Sequence, residues 1–204
     1  MDTVKADLGL YQAKFWLRRY LQKIPGVRSL SPNVVSLLAL IPGVAAAYCL
    51  NHKMWLSSVA AIAARMILNT LDGLIAEQFA KHSHLGAYLN RLPSEITDLL
   101  IALALYPFAP SPWGLLFVAL TALVQTLGLL GLVGQGKTQA VGPCGQTDRL
   151  AIIGIACIPA AFGAHVWPFV IKMMCFGCLL TAGLRIQRSI KELSQLDHAR
   201  VSGI

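Results

Sequence analysis

Asn69 and Asp72 stand three residues apart, and Asn90, Ser94, Glu95 and Asp98 form a second polar group further along the chain. Side chains three or four apart on a helix share a face, so each group can present a row of oxygen atoms. Hard cations such as Mg²⁺ and Mn²⁺ take oxygen ligands, and phosphates of a substrate usually complete the shell. Gly73 and Ala76, next to Asp72, are small enough for a ligand or another helix to approach the backbone. All these residues adjoin apolar stretches, where a buried carboxylate costs at least about 2.5 kcal/mol even on the mildest membrane scales. An acid kept in such a place is a functional candidate by default.

The elements that must position these residues are membrane helices. The chain has 204 residues, of which 56% are apolar and 13% charged, with a mean hydropathy of +0.63. A soluble domain carries about 25% charged residues, so this composition excludes a soluble enzyme, a disordered tail and a nucleic-acid module despite the net charge of +8. A span needs about 20 apolar residues. Asn33 to Asn51 is uncharged, Met54 to Ile75 is interrupted only by Arg65 and Asp72, and Ile96 to Pro110 only by Asp98. Pro112 to Gly134 is uncharged, and Leu150 to Leu184 is long enough for two spans with a turn at Phe162-Gly163-Ala164. The expected fold is therefore an all-α membrane protein of one domain, with a six-span bundle over residues 33–184 and a tail over 185–204.

With six spans both termini share one side. Every Lys and Arg except Lys53, Arg65 and Lys172 then falls on that side, which marks it as cytoplasmic. Before the first span, Leu10, Ala13, Trp16, Leu17, Tyr20, Leu21 and Ile24 share one arc of a helix, with Lys14, Arg18, Arg19 and Lys23 opposite. That pattern predicts an amphipathic helix over residues 3–28 lying in the headgroup plane. The location expected is the inner (cytoplasmic) membrane, with both ends cytoplasmic.

The order Asn69-x2-Asp72-Gly73-x2-Ala76-Glu77-x8-Gly86-x3-Asn90-x3-Ser94 resembles the signature of CDP-alcohol phosphotransferases, D-x2-D-G-x2-A-R-x8-G-x3-D-x3-D, with every gap length matched. Ser31-Pro32-Asn33-Val34-Val35-Ser36 is similar to the family's Thr-Pro-Asn-x2-Thr approach to its first span, and Gly142-Pro143-Cys144-Gly145-Gln146-Thr147-Asp148-Arg149 to a Gly-Pro-x-Gly-Lys-x-Asp-Arg loop of one subgroup. The resemblance implies a lipid-synthesis enzyme in which an acceptor alcohol attacks the β-phosphorus of a CDP-linked lipid and CMP leaves. It places Asn69, Asp72 and Asn90 as metal ligands for Mg²⁺ or Mn²⁺, Ser94 as ligand and base, and Asn33, Ser36, Gly73 and Ala76 around the cytidine diphosphate, with Arg149 a candidate for its phosphates. Asparagine or serine stands at three of the four family aspartates, and Glu77 replaces an arginine. A site with one carboxylate suits one ion better than two, because two divalent cations beside it would repel strongly. Glu95 and Asp98 are the acids nearest to Ser94 and join it as catalytic candidates.

Plainer roles stand beside these. Asn69 and Asp72 could pin two helices together, and Glu95 and Asp98 could be acids at a helix start, if the third span begins near Pro93. Arg65 reads equally as counterion or phosphate contact, and Arg149 as a partner of Asp148 or a phosphate ligand. Cys175-x2-Cys178 lies in an apolar span and reads as packing, the five cysteines make no disulfide framework, and His82-Ser83-His84 reads as a solvated loop. Gly128, Gly131 and Gly134 recur every third residue and predict close helix contact within the chain or across a homodimer. The functional alternatives are a phosphotransferase and a family member that binds a nucleotide-lipid or a membrane partner without turnover. A transporter fits less well, since the charges gather at one face and not at the midplane.

Overall fold

A computed structural model describes residues 31–78 and 84–201. The interfacial helix expected over residues 3–28, and His82-Ser83 of the histidine loop, lie outside the described residues. Helix α1 (Pro32–Leu38) begins with proline at its first position, where the missing N–H is no loss. Helix α2 (Leu40–Asn51) has Pro42 in its opening turn, and the ring's clash with the preceding turn accounts for the interruption at Ala39. Then follow α3 (Trp55–Gln78), α4 (His84–Leu105), a 3₁₀ turn at Tyr106–Phe108, α5 (Trp113–Leu130) with a 3₁₀ extension Gly131–Gly134, α6 (Gln146–Ala161) and α7 (Trp167–Val201). The described residues are helical with no strand.

Three stretches are long and apolar enough to cross a membrane: Pro32–Asn51, Trp113–Gly134 and Trp167–His198. Helices α3 and α4 are also long, at 24 and 22 residues, but carry Arg65 and Asp72, and Arg91, Glu95 and Asp98. Helix α6 has 16 residues. Helix α2 packs against α3 and α4, α6 against α3, and α5 along α7. Ala46, Leu50, Ile101, Phe117, Ile153 and Ile171 are among the buried core, while Ile41, Leu56, Leu115, Ile155, Phe169 and Phe176 face outward. Arg65, Asp72, Asp98, Arg149 and Arg185 are buried. Apolar bulk outside and charge inside is the distribution expected where hydrocarbon is the solvent.

The two ends of the bundle differ in chemistry. At one end Trp55 lies 5.3 Å, centroid to centroid, from both Phe108 and Trp167. Lys53 Nζ sits 6.0 Å from the Phe108 ring, and Lys172 Nζ 5.8 Å from that of Trp113. Aromatic rings and snorkelling lysines suit a membrane–water boundary. The opposite end gathers the start of α1, the end of α3, the start of α4, the end of α5, the start of α6 and the middle of α7. Ser36, Arg65, Asn69, Asp72, Ser94, Asp98, Gln146 and Arg149 meet there.

One expectation changes. The third span does not start near Pro93: α4 runs from His84 with Pro93 in its interior. Pro93 has no N–H for the Leu89 carbonyl one turn earlier, and Thr97 Oγ1 donates to the Pro93 carbonyl at 2.7 Å. Beyond residue 184, α7 continues as helix to Val201. The glycine row works within the chain: side chains added at Gly128 and Gly134 would meet Arg185 and Leu193, and one at Gly131 the Lys137 carbonyl. These glycines therefore give no support to the expected homodimer.

Candidate functional site

The site is assembled from four helices and the loop before α6. Ser36, in the last turn of α1, is buried and its Oγ donates to Asp72 Oδ2 at 2.6 Å, with the Pro32 carbonyl 3.1 Å away. Asn69, one turn before Asp72 on α3, donates from Nδ2 to Ser94 Oγ at 2.9 Å. Two sequence-distant pairs thus bring α1, α3 and α4 together at one end of the bundle. Among the described residues, a side chain added at Gly73 would meet nothing within 4 Å, so they leave the face of α3 beside Asp72 open. Asn33 is half-buried at the start of α1, and Asn90 is exposed one turn before Ser94. Ala76 and Glu77 belong to the last turns of α3, and their side chains fall outside what the structure describes.

Below Ser94 lies a charged layer. Arg65 Nη2 and Gln146 Nε2 each donate to the Ser94 carbonyl at 2.9 Å. Asp98 Oδ2 pairs with Arg149 Nη2 and accepts from Gln125 Nε2 at 3.0 Å, while Oδ1 is 3.9 Å from Arg65 Nη1. Arg149 Nη1 also donates to the Cys144 carbonyl at 2.9 Å. Arg65 is therefore a counterion of Asp98, and Arg149 pairs with Asp98 instead of Asp148. Asp148 Oδ2 accepts the Gly145 N–H at 3.1 Å and caps α6. Since α4 begins ten residues before Ser94, Glu95 and Asp98 are mid-helix residues, not acids at a helix start. Glu95 Oε1 accepts from Arg91 Nε at 2.7 Å, and one residue's step turns it about 100° away from Ser94.

The loop before α6 is held by residues that sequence reasoning passed over. Arg185 Nε donates to the Val141 carbonyl at 3.1 Å and Nη1 to that of Val124 at 2.5 Å. Gly142 has φ of +118°, a conformation that L side chains rarely adopt, and Thr181 packs against it. Thr181 Oγ1 accepts the Cys144 N–H at 3.0 Å. Cys178 of the Cys-x2-Cys lies with its Sγ 3.6 Å from that of Cys144, both buried. That hydrogen bond and burial push the Cys144 thiol up, which keeps it protonated and inert. A lone glutamine in an apolar span and an arginine just past the last one were the available signals for Gln125 and Arg185.

Among the described residues, no group of three His, Cys, Asp or Glu side chains forms a metal cluster. The metal-ligand candidates around Asp72 are amide and hydroxyl oxygens, from Asn69, Asn90 and Ser94. One carboxylate with neutral oxygens fits one hard cation whose other ligands are phosphates, and does not fit two.

Comparison with known proteins places the chain in a family and shows a similar fold. Inner membrane protein YnbA of Escherichia coli (strain K12) is 34% identical over 93 residues, 45% of this chain and 46% of that protein, so the match spans less than half of that relative. The fold is similar to that of phosphatidylinositol phosphate synthase (PgsA1) of Mycobacterium tuberculosis, solved with CDP-DAG bound, with a TM-score of 0.68 over 87% of this chain and 94% of that one at 15% identity. A family model described as CDP-alcohol phosphatidyltransferase matches residues 29–183, a stretch that contains every position from Asn33 to Arg149 discussed above. By that match this chain belongs to the CDP-alcohol phosphatidyltransferase family.

Proposed function

We propose that the chain transfers a phosphatidyl-type group from a CDP-linked lipid to an acceptor alcohol, with release of CMP. The observation that carries this reading is the meeting of Ser36 with Asp72 and of Asn69 with Ser94 beside the open face at Gly73. Those contacts join the family motif's two halves, which are contributed by α3 and α4, to the Pro-Asn segment of α1. In this reading Asn69, Asp72, Asn90 and Ser94 hold one Mg²⁺ or Mn²⁺. When bound, that ion offsets the charge of the pyrophosphate and of the transition state. Asn33, Ser36, Gly73 and Ala76 line the place of the cytidine diphosphate, and Ser36 holds the Asp72 carboxylate in one orientation.

Displacement at phosphorus passes through a loose transition state and depends mainly on position and charge, so the attacking hydroxyl needs little activation. Ser94 accordingly serves as a ligand. Glu95, tied to Arg91 and turned from Ser94, and Asp98, enclosed by arginines, are removed from the reacting atoms in this scheme. Arg149 likewise supports the loop in place of gripping a phosphate. The reading keeps six spans with both ends cytoplasmic and an interfacial helix ahead of them, supported by the basic residues that the sequence collects on one side.

The test is release of CMP by purified protein from CDP-diacylglycerol, with Mg²⁺ or Mn²⁺ and a panel of acceptor alcohols. Metal-dependent CMP release that is lost in Asp72→Ala supports the proposal. No CMP above background with any acceptor overturns it in favour of binding without turnover, a reading that the single motif carboxylate favours.

A further inference from the structure

We propose that Asp98 is a positioning residue: it is the shared anion through which α3, α5 and α6 hold Ser94 of α4 level with Asn69, and it does not itself touch substrate. The inference rests on the phosphotransferase reading above. Asp98 is 3% exposed, and each of its oxygens faces a cation. Oδ2 takes Arg149 and Gln125, and Oδ1 faces Arg65 Nη1, a buried donor with no hydrogen-bond partner. A carboxylate enclosed in this way has no oxygen turned toward a reacting atom.

Both arginines pass their constraint on to backbone. Arg65 grips the Ser94 carbonyl, and Arg149 grips that of Cys144 in the loop whose Gln146 returns to the same Ser94 carbonyl. The result is a closed ring running Asp98, Arg65, Ser94, Gln146, Arg149 and back to Asp98. It holds Ser94, the residue next to Pro93; that proline has no N–H for the Leu89 carbonyl one turn earlier, so this part of the helix is prone to bend. The ring fixes that bend, and with it the height of the Ser94 hydroxyl against Asn69. Without the Asp98 charge, two buried guanidinium groups would lose their common anion, and each buried, unpaired charge is strongly unfavourable.

The experiment measures kcat, KM for CDP-diacylglycerol and the pH–rate profile of purified wild type, Asp98→Asn, Gln146→Ala and the double variant Asp98→Asn with Arg149→Gln. A misplacement of about 1 Å can cost on the order of 10²-fold in rate. The expected result for Asp98→Asn is therefore a roughly 100-fold lower kcat, a KM within a few-fold of wild type and an unchanged shape of the pH profile. Interacting residues give non-additive effects, so the double variant, which removes the surplus cation, regains about tenfold over Asp98→Asn. Gln146→Ala, which alters no charge, loses about tenfold. Loss of one limb of the pH profile in Asp98→Asn, or a double variant no better than the single, overturns the inference. If Asp98→Asn does not purify as a folded protein, Gln146→Ala decides, and full activity there overturns the inference. A wild type that releases no CMP fails the functional reading, and the positioning role falls with it. A wild type that turns over beside a fully active Asp98→Asn sinks the positioning role alone.

Discussion

The tight contact of Gly43 on α2 with Thr97 on α4 makes Gly43→Ala a sharp test of how the site is held. A methyl group at position 43 would lie 2.6 Å from Thr97 Cβ and 3.0 Å from Thr97 Oγ1. Rotating the Thr97 side chain gives no relief, because Cβ itself is too near. Ordinary carbon–carbon contact is about 3.5–4.0 Å, so the two backbones must separate by roughly 1 Å. Overpacking of this kind typically costs about 1–3 kcal/mol. For a chain of this size each kcal/mol corresponds to roughly 2–4 °C in Tm, which gives an expected fall of about 2–12 °C. Thr97 lies one turn beyond Ser94 on α4, and its Oγ1 bonds the Pro93 carbonyl, so the shift is delivered to the site. CMP release should drop on the order of 10²-fold, the usual penalty for a displacement of about 1 Å. Thermal unfolding in detergent followed by tryptophan fluorescence, with CMP release measured on the same preparation, checks both numbers. Thr97→Gly removes the obstructing Cβ and should restore much of the loss when combined with Gly43→Ala. A Gly43→Ala protein with unchanged Tm and unchanged turnover would refute the reasoning, since the helices could not then be so close.

Gly73→Leu should have the opposite profile: Tm is maintained or raised, since leaving glycine in a helix interior gains up to about 1 kcal/mol, while KM for the CDP-lipid rises at least tenfold as the open face fills. Arg185→Met strands the Val141 carbonyl at roughly 1–3 kcal/mol, while that of Val124 keeps its helix partner, so unfolding in detergent should move to lower temperature. Cys144, buried and with its thiol pushed up, should resist a water-soluble maleimide at neutral pH until the protein is denatured, as read by intact mass on a Cys49→Ser background. Chelation with EDTA should abolish CMP release, and added Mg²⁺ or Mn²⁺ should restore it. An undiminished rate after exhaustive chelation would remove the ion from the scheme.

Much of this was legible in the residues alone. Uninterrupted apolar runs place the helices, because a hydrocarbon solvent imposes a length and a polarity on each that local sequence must satisfy. The gap lengths from Asn69 to Ser94, together with the Pro-Asn segment, carry the family resemblance, and helical geometry puts Asn69 with Asp72, and Asn90 with Ser94, on common faces. The partners of those faces were not legible. Asp98 read as an acid at a helix start because Pro93 argues for a break; the helix instead continues through the proline, and the Pro93 and Ser94 carbonyls beside it take additional donors from Thr97, Arg65 and Gln146. The last two of those donors are 29 and 52 residues away in sequence, beyond the reach of any local periodicity. Whether Arg65 and Arg149 meet a phosphate or a carboxylate likewise depends on which side chains packing delivers to the same buried point. Sequence determined which groups could not face lipid, since their charge forbids it; tertiary structure decided which of them neutralise one another and which remain for a substrate, because that outcome is set by distances between helices.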